Sequence, residues 1–203
     1  MKDLMGKDVE DRGKVSTVGS RWKIDGGFFH FTYPNRPIRN PEGRLVGVTN
    51  PRDMTYIHTY GGEAPFFESL SRGILLATKC VNPKCPANGS IFMPFRIHCP
   101  DCLERNVQID ITDIAMKTAT IHSFMITERT GAFNTLPKPI KFINVEFDGV
   151  CTILMGYMSL GEPKIGSRVV PIFNTKAPTF TILDLSWVPE GTPPEKLPED
   201  FTF

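Results

Sequence analysis

A mainly β architecture is what this sequence predicts: a short helix, a small cysteine-clamped ribbon, then a barrel of about five strands. Three observations carry the prediction. Four cysteines stand as two pairs, Cys80/Cys85 and Cys99/Cys102, separated by thirteen residues. Beyond them, apolar and polar residues alternate in short runs as far as residue 187. Finally, 18 prolines are spread over 203 residues, which leaves little room for long helices.

The cysteine stretch organises the rest. Each pair can close one tight knuckle, and the segment between them lets the two knuckles face each other around a tetrahedral ion. Pro83 and Pro86 stiffen the first knuckle, Gly89 supplies a turn and Pro100 shapes the second. Four thiolates at about 2.3 Å fill the coordination shell, so Cys80, Cys85, Cys99 and Cys102 are expected to hold structural zinc, with no open position for a reacting water. Two disulfides and an iron centre are the rivals. No secretory signal is read ahead of the cysteines, and a cytoplasmic protein is expected.

In chain order, residues 1–60 read as a polar arm and an extended strap. The arm (1–20) has no apolar period. Trp22, Phe28, Phe29, Phe31 and Tyr33 then crowd into twelve residues, with a short strand at their end. Three prolines between residues 34 and 41 predict an irregular loop, where Arg36, Arg39, Arg44 and Arg52 form a basic group open to anions or to solvent. Residues 61–105 form the helix and ribbon. Pro65 is tolerated in a first helical turn, Phe66, Phe67 and Leu70 make one apolar face, and Gly73 can end the helix. So short a helix cannot bury two phenylalanines by itself, so it must pack on the ribbon or on another chain.

Residues 106–188 are the barrel. Its strands are expected around Val107–Ile111, 119–127, Ile143–Phe147, 150–157, 166–173 and 179–187, with Asp148-Gly149 as a hairpin turn. Cys151, in the apolar hairpin, reads as a small buried hydrophobe. Residues 129–141 are too long for a hairpin turn and suggest a functional loop, in which Arg129, Lys138 and Lys141 could meet phosphates beside Phe133. Residues 189–203 are acidic, proline-rich and expected to be an extended tail.

The totals exclude some classes of function. A net charge of +1 without a Lys/Arg-rich strand argues against general polyanion binding, although ribbons and barrels of this kind also serve as nucleic-acid modules. No stretch approaches the ~18 apolar residues of a membrane span. The four histidines, His30, His58, His98 and His122, are scattered and stand in no hydrolase or metalloprotease motif.

Three motifs in order make the chain resemble the acyl-CoA-associated family of rubredoxin-like zinc ribbons fused to OB-folds. They are Pro65-Phe66-Phe67-Glu68-Ser69-Leu70-Ser71-Arg72-Gly73-Ile74-Leu75-Leu76, then Pro94-Phe95-Arg96-Ile97-His98-Cys99-Pro100-Asp101-Cys102, then Lys164-Ile165-Gly166-Ser167-Arg168-Val169. The resemblance covers roughly residues 64–187. Four residues rather than two stand inside the first cysteine pair, a departure that bears on the choice between zinc and iron. The resemblance implies a five-stranded OB-fold barrel and a non-catalytic accessory subunit of a thiolase-like enzyme acting on coenzyme A thioesters, such as an aromatic acyl-CoA. It also implies a hetero-oligomer whose catalytic residues belong to the larger partner, with Arg129, Lys138 and Lys141 as candidate coenzyme A contacts. A nucleic-acid-binding ribbon and barrel, and an independent thioester hydrolase, are the competing functions.

Overall fold

The computed structural model describes residues 14–18, 21–25, 30–32, 36–49, 52–54, 63–130 and 135–203, and the chain divides into two units, 1–58 and 59–203. Residues 1–13, Phe28, Phe29, Tyr33 and Phe133 lie outside the described residues. In the first unit, β1 (Lys14–Val18), β2 (Arg21–Asp25), β3 (His30–Thr32), β4 (Arg36–Arg39), β5 (Leu45–Thr49) and β6 (Arg52–Met54) pair antiparallel as β1–β2, β3–β6 and β4–β5. The proline-rich strap is therefore not irregular throughout. Pro37 sits in β4 opposite Val48, and a two-stranded ribbon has outer edges where a missing N–H costs nothing. Asn40 makes the turn: its Oδ1 accepts from Arg44 N at 2.9 Å and its carbonyl from Gly43 N at 2.9 Å. Arg36, Arg39 and Arg44 are exposed there, and Arg39 donates back to the Gly43 carbonyl at 2.9 Å.

The second unit opens with α1 (Ala64–Leu70), which has proline in its first turn. Gly73 follows at φ +72°, a left-handed residue that lets the chain reverse behind the helix. Then come β7 (Leu76–Lys79), β8 (Ile91–Phe92) and β9 (Val107–Asp110), which form the ribbon sheet in the order β8-β7-β9. The alternating run at Val107 and Ile109 thus belongs to the ribbon and not to the barrel. Next is α2 (Thr112–Thr118), a helix the sequence reading did not place. Asp110 Oδ1 accepts from both the N–H and the hydroxyl of Thr112, at 2.8 and 2.6 Å, and starts it.

The barrel comprises β10 (Thr120–Thr127), β11 (Ile140–Glu146), β12 (Leu154–Met158), β13 (Val169–Asn174) and β14 (Leu185–Pro189). They lie in the order β10-β11-β12-β14-β13, antiparallel except for β12 against β14. The start of β10 closes the circle against the residues leading into β13: Ile121 N bonds Ser167 O at 3.0 Å and Val169 N bonds Ala119 O at 3.1 Å. Five strands closed in this order make the OB-fold barrel the sequence predicts. A sixth strand, β15 (Phe201–Thr202), pairs with β13, so the tail is tied to the sheet rather than simply extended.

One core runs through ribbon and barrel. Phe66 and Leu70 of α1, Leu75, Ala77, Met93 and Phe95 of the ribbon, Ala115 of α2, and Ile143, Val145, Phe173 and Trp187 of the barrel are all buried in it. The apolar face of α1 is therefore satisfied within this chain. The segment joining β11 to β12 is longer than a tight hairpin because it also grips the ribbon. Val150 bridges Ile91, Cys151 N bonds Ile91 O at 2.8 Å, and the Thr152 hydroxyl bonds both the N–H and the carbonyl of Met93. This grip turns Cys151 outward; it is exposed, not the buried hydrophobe its neighbours suggest.

Candidate metal centre and adjoining cavity

The four cysteine sulfurs all lie within 4.8 Å of one another, three of the residues are buried, and Cys102 is half-buried. Cys80 Sγ is 3.9 Å from Cys102 Sγ and Cys85 Sγ is 3.8 Å from Cys99 Sγ. A disulfide needs about 2.05 Å, whereas a tetrahedron of sulfurs about 2.3 Å from a central ion has edges of about 3.8 Å. The closest separations match the ion, and the cysteines are unbonded.

Local sequence builds each knuckle. In the first, the Asn82 carbonyl accepts from Cys85 N at 3.0 Å and its side chain from Lys84 N at 2.9 Å, a turn that absorbs the two extra residues of the Cys80–Cys85 spacing. Gly89, at φ +85°, returns the chain by bonding Cys80 O at 2.8 Å. In the second, Leu103 N bonds Cys99 O at 3.0 Å and Leu103 itself is left-handed, φ +59°. Backbone amides also point at sulfur: Ala87 N lies 3.4 Å from Cys85 Sγ.

These environments split the thiols. Burial pushes Cys80 up, and it pushes Cys85 up to about 12, against the Ala87 amide. Burial raises Cys99 too, but the amides of Cys102 and Asp101, together with the Cys80 and Cys102 thiols, bring it down to about 7. A dry pocket resists holding several thiolates unless a cation shares their charge. The donor set, its closure and its sulfur spacing fit one divalent ion with a filled shell, zinc among them.

Lys138 and Lys141 line a cavity of about 340 Å³, and Arg129 is not among its lining residues. The cavity lies over the outer side of β11 and β12, where Ile140, Phe142 and Tyr157 form a second apolar cluster joined by Leu136 and Leu183. Sequence reasoning missed this cluster, because Phe142 and Tyr157 read as ordinary barrel positions. Their register pairing, Phe142 opposite Tyr157, is the feature that sets both on the outer face. Lys141 Nζ donates to Gly161 O at 2.7 Å and to Glu162 Oε1 at 2.6 Å. Among the histidines, His122 pairs with Glu146 at 3.0 Å on the surface, and His98 bridges Arg105 through its backbone. Among the described residues, no helix is long and apolar enough to cross a membrane.

No family model and no curated protein sequence matches the chain. Solved structures that resemble it include the following two. One is a protein of unknown function from the DUF35 family of Sulfolobus solfataricus, 26% identical, with 56% of this chain and 81% of that one covered at a TM-score of 0.42. The other is described as Ltp2-ChsH2(DUF35) aldolase, 20% identical, with 54% and 80% covered at a TM-score of 0.42. The architecture rests on the strand order and the cysteine geometry.

Proposed function

We propose that this chain is a zinc-stabilised, non-catalytic adaptor, a small cytoplasmic subunit that works with a larger thiolase-type enzyme on acyl-CoA thioesters. The observation that carries the reading is the sulfur cluster. A shell completed by four protein ligands is built to stiffen a scaffold and leaves the ion no site for substrate. The shared core then passes that stiffness to α1 and the barrel. The sequence motifs around Phe66, Cys99 and Arg168 supply the partner class, because they stand in the order seen in accessory subunits of such enzymes. On this reading Arg129 and Lys138, both exposed and with no ion-pair partner among the described residues, are the candidate phosphate contacts at the shared entrance. Lys141, the third candidate, also pairs with Glu162.

Affinity capture of the chain from its native source, followed by mass spectrometry, tests the reading. A thiolase-sized companion in constant ratio is expected. A chain that elutes alone, or that turns over a thioester unaided, overturns it.

A further inference from the structure

We infer that the cavity over β11 and β12 is a small-molecule site for an apolar carboxylate, an aromatic or branched aliphatic acid anchored by Lys141. The inference goes beyond the adaptor reading, since it concerns what this chain binds alone.

The cavity, about 340 Å³, lies in the size range of ligand pockets. Its walls are mostly apolar: Ile140, Tyr157, Met158, and Phe201 from the tail, with prolines 137, 139 and 198 around them. Several of these groups are held in place. Ile140 and Tyr157 are buried in the outer cluster, and the Tyr157 hydroxyl donates to Leu183 O at 2.9 Å. The backbone at Phe201 is held by its strand pairing with Asn174. Prolines have little freedom to lose when a ligand arrives, so the ordering cost of binding is small.

The polar lining is sparse and mostly engaged. The Tyr157 hydroxyl has its acceptor, and the Ser159 hydroxyl is joined to Ser186. Lys141 is different. An ammonium carries three protons, and two are committed, to Gly161 O and to Glu162. The side chain is only 21% exposed, whereas Glu162 is 77% exposed and does not line the cavity. Glu162 offsets part of the Lys141 charge, and Lys138, exposed beside it, leaves the lining with a net positive charge. A part-buried ammonium at the edge of an apolar, largely preformed cavity, with a second lysine beside it, selects an anionic group carried on an apolar body.

The test uses the full zinc-loaded chain and 6-fluoro-2-naphthoate, followed by fluorine NMR, with the matching amide as control. Saturable binding is expected, with the acid about tenfold tighter than the amide. Lys141→Met should abolish that preference while leaving metal content unchanged and the chain folded, as circular dichroism reads it. Leu136→Trp, a change on the loop that fills the cavity, should remove binding of both compounds. No saturable binding at millimolar ligand, equal affinity for acid and amide, or an acid preference that survives Lys141→Met overturns the inference.

Discussion

Cys99 has the lowest pKa of the three thiols whose environments shift them, because two backbone amides face its sulfur from within its own knuckle. Metal binding needs all four sulfurs deprotonated, so the ion supplies the driving force that burial alone withholds at Cys80 and Cys85. Cys99→Ser is expected to lose one metal ion per chain and most soluble protein, since such a site contributes on the order of 10 kcal/mol to folding; elemental analysis with circular dichroism checks it. Gly156 is a different kind of requirement. A Cβ there would stand 2.7 Å from Trp187 Nε1 and 3.0 Å from Cδ1, and Trp187 is fully buried. Gly156→Ala should therefore destabilise the chain by about 1–3 kcal/mol through overpacking, seen as a shifted denaturation midpoint by tryptophan fluorescence. Tyr157 carries a pH signature. Burial, aided by the Asp184 charge and opposed by Ser186, raises it to about 12. Its contribution is full below the ordinary value of about 10 and is lost as pH rises from there toward 12, up to about 2–3 kcal/mol. Tyr157→Phe should flatten that alkaline decline in a pH series of melts.

Among the elements, α2 and the turn before β14 show how side chains hold what local propensity leaves weak. The last carbonyls of a seven-residue helix need partners, and Arg168 supplies them across the barrel seam, donating to Ala119 O at 2.6 Å and Met116 O at 3.0 Å. Replacing Arg168 with Met should cost about 1–3 kcal/mol and speed hydrogen exchange in α2 and at the start of β10. A lysine in its place should not rescue the loss, because one ammonium cannot span both carbonyls in the plane that a guanidinium does. The turn relies on Asp184, fully buried, which accepts from Thr179 N at 2.8 Å and Phe180 N at 2.6 Å. That grip keeps Phe180 left-handed at φ +55°.

Across residues 59–203, ribbon and barrel share one core and are laced by the Thr152–Met93 bonds, so they should not unfold separately. Removing the ion with a chelator is expected to melt the barrel with the ribbon in a single transition, monitored together by near-ultraviolet dichroism and by Trp187 emission. Two resolved transitions would mean the barrel stands without its clamp. Thr152→Val, which removes the hydroxyl linking the two parts, should lower the midpoint by the equivalent of about 1–3 kcal/mol.

The sequence by itself determined what depends on near neighbours. The two cysteine knuckles, α1 with its proline start and glycine exit, and the five barrel strands follow from spacing and alternation over a few residues. Only the tertiary structure decided which strand pairs with which: that β9 joins the ribbon, that β15 ties down the tail, and that Cys151 faces outward. Alternation records that one face is buried, but not what buries it. The helix α2 stayed hidden because its apolar positions Ile111, Ala115 and Ala119 are few and small, too short a signal beside the alternating run at Val107, Ile109 and Ile111 that precedes it. The cavity is set furthest from the sequence, since its walls come from a loop, two strands and the tail, and those meet only once the barrel has closed.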